Sequence, residues 1–409
     1  MARSRHSRAA GHRTRPLLLV VGSITLIGIM ANTLIAPALP DIEREFNASG
    51  FALGAIVALA SLPGIVMAPI VGVLADRFGR RHVVVPCLVV FGAGGVVGLA
   101  APSLSFLLAG RLLQGVGAAG LVNLAVVILG DRFEGSARDR AIGRNAVVLT
   151  VGLGVFPVLG GVLASLGGWR LAFVPYVLAF LVAGVALRVL PPDRPHSHVP
   201  WSEQARTSRR YLRDPRVLSM MATGFVAFLL LFGLVITNLP LHLDRVFGLG
   251  PGVRGLLLGV PALATIVIGW RFGPLVARYG TWFLVLFGFA LFTVSFGTVA
   301  VSPWIGLVIG ASLLWGLADG LTVVPLQAYA ASIAPAAQRG FVVAVWVGAA
   351  RAGQATGPLL AGALVGPLGT RGLFAAGAVI AAVWAVGGML FRPRLATTVR
   401  AEDAATTPF

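Results

Sequence analysis

The stretch Gly72-Val73-Leu74-Ala75-Asp76-Arg77-Phe78-Gly79-Arg80-Arg81 closes one long apolar run, and an echo of it, Gly273-Pro274-Leu275-Val276-Ala277-Arg278-Tyr279-Gly280, closes another about 200 residues later. A second pair of strings keeps the same spacing: Phe156-Pro157-Val158-Leu159-Gly160-Gly161 and Gly357-Pro358-Leu359-Leu360-Ala361-Gly362. The halves of the chain read as copies. In the first string, Gly72 lets neighbouring helices approach closely and Gly79 permits a tight turn. Asp76 falls at the C-terminal end of its helix, where the helix dipole disfavours an anion. It therefore needs a partner from elsewhere, and the expected one is the positive end of a helix starting near Arg339-Gly340.

Working outward, the whole chain alternates between apolar runs and short polar breaks. Hydrophobic residues make up 57% of it and charged residues 11%, against roughly a quarter charged in a soluble domain. Runs of about 18 or more apolar residues read as membrane-spanning helices, and the alternating pattern of a membrane barrel is absent. The expected spans are 16–39, 51–75, 82–100, 104–129, 142–166 and 170–190, then 217–240, 253–277, 281–301, 303–330, 340–365 and 372–391. Six helices per half is an even number, so the copies share one orientation and repeat about an axis along the membrane normal. The predicted fold class is an all-α polytopic membrane protein of twelve helices in two pseudo-symmetric six-helix bundles. Its parts are a tail at 1–15, a bundle at 16–190, a linker at 191–216, a second bundle at 217–391 and a tail at 392–409. The linker carries Arg194, Arg206, Arg209, Arg210 and Arg213.

The net charge of +18 comes from arginine alone, since the chain has no lysine. The spans above put about 25 of the arginines on one side of the bilayer and about 5 on the other, the asymmetry that sets topology. Both termini are expected on the cytoplasmic side of the cell (plasma or inner) membrane. No soluble domain is long enough to present a basic face, which excludes a nucleic-acid binder. One cysteine, Cys87, excludes a disulfide or a thiolate metal site, and no metal is expected. The Arg-rich start followed by Pro16 to Leu39 imitates a signal peptide, but its apolar stretch is too long, so it reads as an uncleaved first helix.

The string from Gly72 to Arg81 resembles the signature of the major facilitator superfamily between its second and third helices. The resemblance extends over 16–391. Arg111-Leu112-Leu113-Gln114-Gly115-Val116-Gly117 is similar to the family's helix 4 motif, whose Arg is implicated in proton coupling. Trp169-Arg170 with Phe173 resembles its start of helix 6. Arg339-Gly340, Arg351-Ala352-Gly353-Gln354 and the run Gly357, Pro358 to Gly362 resemble the twelve-helix bacterial drug:proton antiporters. The resemblance implies alternating access, with helices 1, 4, 7 and 10 lining the cavity. The helix 5 string Gly152-Leu153-Gly154-Val155-Phe156-Pro157-Val158-Leu159-Gly160-Gly161 departs from the antiporter pattern, which has Gly where Phe156 stands. Its glycines and Pro157 would thin and kink the helix for close packing.

Inside the bilayer, Asp319 is the one acid placed near a midplane. A lone ionised Asp there costs roughly 2.5–3.5 kcal/mol, so it should be neutral or paired, and Arg351 at similar depth is the obvious partner. Two readings stand: a static ion pair, or an acid that loads a proton or cationic substrate in one state. Helix 1 offers only Asn32, where many relatives keep an acid. Arg111 either snorkels outward or faces the cavity with Gln114. Phe225, Phe228 and Phe232 share one face of helix 7, and Trp315 precedes Asp319 by about a turn. Cavity candidates are Asn32, Gln114, Phe228, Phe232, Trp315 and Gln354, and aromatics there suit a flat, lipophilic substrate. His242 reads as a surface residue.

The reading that follows is proton-coupled export of small lipophilic compounds, with no cofactor, by a monomer in the lipid bilayer. An alternative is a carrier for a small polar or anionic metabolite clamped by Arg111 and Arg351. A sensor or enzyme is a remote third, because six His and one midplane Asp supply no catalytic cluster.

Overall fold

A computed structural model describes the backbone over residues 2–191, 213–333 and 339–405, and side chains over 15–191, 213–271, 273–330, 333 and 342–390. The expected linker arginines at 194, 206, 209 and 210, and the side chains of Arg339 and Gly340, lie outside the described residues. Long helices follow one another in antiparallel succession: α1 (Arg15–Phe46), α2 (Phe51–Phe78), α3 (Arg80–Leu99), α4 (Leu104–Arg132), α5 (Gly135–Gly167) and α6 (Trp169–Val189). The second half begins with α7 (Pro215–Phe247), α8 (Pro251–Tyr279), α9 (Thr281–Val301) and α10 (Ile305–Ser332). The last run, Arg339–Ala405, is 67 residues long. As one rod it would measure about 100 Å, roughly three times a bilayer core. Gly369, at φ 66° and ψ 172°, breaks it into α11 (339–368) and α12 (370–405), a backbone region that an L side chain resists. Twelve spans result, and no strand occurs among the described residues.

α4 breaks briefly at 119–120, and three other helices are interrupted beside prolines. α1 loses its helix after Thr33 and resumes through a tight turn at Ala36–Ala38, with Pro37 and Pro40 unable to donate a backbone hydrogen bond. α2 loosens over 59–62, just ahead of Pro63. α7 widens into a π-helical segment at Leu231–Asn238 ahead of Pro240, and Thr237 Oγ1 donates to the Phe232 carbonyl at 2.9 Å. In lipid such breaks persist only where protein groups satisfy the freed backbone.

The bundles meet along two seams built from glycine. On α5, Gly161 lies against Gly255 and Pro251 of α8, and a Cβ on Gly255 would stand 2.4 Å from the Pro157 carbonyl oxygen. On α11, Gly362 lies against Gly50 and Gly54 of α2, and a Cβ on Gly54 would stand 2.1 Å from the Pro358 carbonyl oxygen. One offset of 201 residues relates these seams: 157 to 358, 161 to 362 and 54 to 255. Each seam is the other's image under the repeat. The opposite faces of the same helices hold the bundles together internally. Gly152 and Gly160 of α5 pack on α1, while Gly353 and Gly357 of α11 pack on α7. Small residues do this work because lipid offers no hydrophobic drive between helices, so close backbone approach supplies the packing.

The two seams between the bundles lie in the half of the membrane distant from the tail face, where α1 begins and α6 ends. Toward the tail face the seams part. Val66, Ile70 and Phe78 of α2, Val147 and Val151 of α5, and Val267 and Trp270 of α8 are exposed. Among the described residues, nothing lies within 4 Å of a Cβ built on Gly72, Gly143, Gly269 or Gly273. Among the described residues, the molecule is closed at its far face and open at its tail face.

Candidate functional site

Arg111 is fully buried in the first bundle, and it occupies the breaks in α1 and α2. Its Nη1 donates to the Ala31 carbonyl at 2.7 Å and to Gln114 Oε1 at 2.7 Å, and its Nε donates to the Ile56 carbonyl at 2.8 Å. Nη2 donates to Asn32 Oδ1, and Asn32 Nδ2 in turn donates to Ser61 Oγ at 3.0 Å. The interruptions leave the Ala31 and Ile56 carbonyls without a backbone donor from residues 35 and 60. Arg111 supplies those donors, and the Tyr176 hydroxyl adds a second to Ala31 at 3.0 Å. Both expectations for Arg111 are thereby corrected in this conformation. It neither snorkels nor faces a cavity, because four oxygen acceptors inside the bundle fix its planar fork. Asn32 and Gln114 are buried with it rather than presented to a substrate.

The second bundle places its charges differently. Asp319 is half-buried near the middle of α10, and no hydrogen bond or ion pair reaches it among the described residues. Arg351, halfway along α11, turns instead toward α2. Its Cδ lies 3.2 Å from where a Cβ on Gly64 would be, and its Nη1 donates to Gln354 Oε1 at 3.1 Å. The expected Asp319–Arg351 ion pair is absent here, since Arg351 follows the seam between the halves while Asp319 stays on α10. Gly316 and Gly320 seat α10 closely against α8, at Pro261 and Ile268.

Phe228 and Phe232 are half-buried neighbours with ring centroids 6.3 Å apart, and Phe228 meets Trp346 of α11 edge-on at 6.3 Å. Trp346 is an aromatic member of this cluster that the sequence reading missed. Trp315 is buried in the bundle core, one turn from Asp319.

At the tail face, Asp76 is paired with Arg80, which also reaches Asp131 Oδ2 at 3.1 Å. Among the described residues the partner of Asp76 lies in the first turn of α3, and the side chains at the expected start of α11 lie outside the described residues. Arg77 lies over Phe78 at 5.4 Å, and Arg81 Nη1 donates to the Leu190 carbonyl at 3.4 Å.

The far face holds a set of ion pairs that the sequence reading passed over. Arg44 of α1 bonds Asp244 of α7 at 2.7 Å, Arg245 of α7 bonds Glu43 of α1, and Arg254 of α8 bonds Asp41 of α1 at 3.0 Å. The available signal was the repetition of an acid–Arg dipeptide a few residues beyond a Leu-Pro, at Leu39-Pro40 and Leu239-Pro240. His242 is not the expected surface residue. It is buried between Phe247 and Phe374, with Nδ1 3.0 Å from Thr370 Oγ1.

Residues 21–336 and 247–408 match a family model described as Major Facilitator Superfamily. The bacillibactin exporter of Bacillus subtilis (strain 168) is 29% identical over 297 residues, covering 68% of this chain and 72% of that one. The class G tetracycline resistance protein of Vibrio anguillarum is 29% identical over 391 residues, covering 91% of this chain and 94% of that one. Among solved structures, a bacterial homologue of the human lysosomal transporter Spinster, inward-facing and unoccupied, aligns with a TM-score of 0.73 at 19% identity, over 92% of this chain and 96% of that one. At that identity the likeness speaks for the fold.

Proposed function

We propose that this chain, which belongs to the major facilitator superfamily, exports small lipophilic compounds in exchange for protons. The fold and family are those of a multi-pass membrane transporter, and not of an enzyme. The observation that carries the finer reading is the carboxyl of Asp319, unpaired among the described residues and half-buried at mid-membrane depth. A carboxyl free of any arginine is able to take up a proton or a cationic substrate and release it when its surroundings change. The half-buried Phe228 and Phe232, backed by the buried Trp346, give the same bundle an aromatic apolar surface. The proton is the coupling ion in this reading, no cofactor takes part, and one chain suffices.

Arginine distribution supports one reading of the sides. About 25 of the arginines belong to the tail face, which supports reading it as cytoplasmic and this conformation as inward-open in the cell membrane. Relatives that bear exporter and resistance names support outward transport. A second reading rests on Arg351, a half-buried guanidinium with Gln354 as its one hydrogen-bond partner among the described residues, which suits an anionic substrate. The two-arginine clamp is weaker, because Arg111 is committed to backbone carbonyls.

Reconstitution into liposomes with an imposed proton gradient tests the proposal. Uphill movement of a lipophilic cation dye is expected, and is expected to vanish in Asp319→Asn. Dye accumulation that ignores the gradient, or that survives Asp319→Asn, refutes it. Thermal stabilisation by organic anions alone would favour the second reading.

A further inference from the structure

The outer ends of α1 and α7 carry matching charged dipeptides, Glu43-Arg44 and Asp244-Arg245, separated by the same 201 residues that relate the two glycine seams. Their bonds are reciprocal: Arg44 to Asp244, and Arg245 to Glu43. We infer that these two pairs, together with Arg254 and Asp41, form a latch that holds the outer gate shut, and that outward opening requires them to separate.

Arg254 is the centre of the latch. Its side chain is 1% exposed, lies 3.0 Å from Asp41 Oδ2 and 3.7 Å from Asp244 Oδ1, and so joins acids from both halves. Three arginines meet three carboxylates, so the cluster is neutral while assembled. Pulling the halves apart breaks the buried Arg254–Asp41 bond, which water on the opened face replaces only in part. The repeat offers no image of this contact, because Leu53 stands where a counterpart of Arg254 would be. The latch is therefore a symmetric pair with one asymmetric bolt.

The latch can transmit force because each side is stiffly mounted. Glu45, next to Arg44, accepts from Trp169 Nε1 at 2.6 Å and pairs with Arg170 at 2.6 Å, which ties the end of α1 to α6. On the other side, Asn238 Nδ2 donates to the Thr370 carbonyl at 2.9 Å and His242 contacts Thr370 Oγ1, which ties the end of α7 to the start of α12. Beneath the latch, the backbone contacts at Gly54 and Gly255 close the rest of the outer half. The outer pairs at Arg44 and Arg245 are partly solvated and contribute modestly. Arg254 is the residue on which closure depends most.

The test needs no substrate, so its outcome stands apart from the export reading. Cys87→Ser removes the one cysteine, and spin labels go on Ser49→Cys and Gly250→Cys, exposed positions flanking the latch on opposite halves. Distances are then measured by double electron–electron resonance on monodisperse protein. The parent should show a single short distance. Arg254→Gln should raise a longer, outward-open population by about tenfold or more, and Arg245→Glu should raise it by placing an acid against Glu43. The swap Glu43→Arg with Arg245→Glu should return the distribution towards the parent's. If Arg254→Gln does not fold, the solvated Arg245→Glu and its swap carry the test. Distributions unchanged in the single variants, or a swap no better than Arg245→Glu, would overturn the latch.

Discussion

Pro358 holds its carbonyl so close to Gly54 that a Cβ on the glycine would stand 2.1 Å from the oxygen. No rotamer relieves that clash, because the opposing atom belongs to the backbone. Gly54→Ala should therefore wedge the α2–α11 seam apart, lower the unfolding midpoint in detergent and slow transport severalfold. Gly366→Ala is the control. It lies on the same α11 with open space around it, and should behave as wild type. A Gly54→Ala protein matching wild type in both assays would show that the seam is not packed this closely.

Arg111 donates to two carbonyls that the helix breaks set free, so its replacement should be structural in its first effect. Arg111→Lys keeps the charge but cannot span four acceptors with one ammonium. Each carbonyl left bare costs about 1–3 kcal/mol, while Tyr176→Phe, which leaves Ala31 still bonded to Arg111, should cost only about 1 kcal/mol. Thermal unfolding of purified protein gives the comparison. An Arg111→Lys variant as stable as the parent would exclude the stapling role.

Much of this architecture was legible because membrane spans announce themselves by length and apolarity, and because Gly72 and Gly273, or Pro157 and Pro358, repeat at a fixed offset. What a repeat does not encode is rotation about each helix axis. Asp319 and Arg351 lie at similar depth on neighbouring helices in sequence order, yet depth alone left their mutual facing open, and they do not pair. The burial of Arg111 depended on breaks in α1 and α2, which Pro37, Pro40 and Pro63 foreshadow without saying which donor fills them. Glu43-Arg44 and Asp244-Arg245 were visible as charges at the ends of spans. Such charges usually meet water, and only their contact across the halves gives them meaning.

Asp76 is about half exposed in this conformation and bonded to Arg80 within its own bundle. Arg80 keeps Asp131 when this half-solvated pair is lost, so Asp76→Asn should leave the unfolding midpoint almost unchanged, within about 1 kcal/mol. Transport should nevertheless fall, because closing the cytoplasmic end brings this carboxylate towards the start of α11, whose helix dipole favours an anion. Rates at matched expression decide the matter. A variant transporting at the parent's rate would remove Asp76 from the gate.

Asp319 and Arg351 make opposite predictions depending on whether they ever neutralise one another. In the conformation described here they do not, and Arg351 spends its one described hydrogen bond on Gln354. Asp319→Asn should therefore fold and unfold much as the parent does, within about 1 kcal/mol, since no buried cation loses a partner. Its defect should lie in coupling: uphill export driven by a proton gradient is lost, while substrate binding and downhill exchange remain. Adding Arg351→Gln should rescue neither property, whereas a true ion pair would regain stability when both charges are removed. The four proteins (parent, each single variant and the double) form a cycle in which unfolding midpoint and gradient-driven flux are read together. A coupling energy in stability between the two sites, or gradient-driven flux restored in the double variant, would show that the pair forms elsewhere in the cycle and would move proton coupling away from Asp319 acting alone.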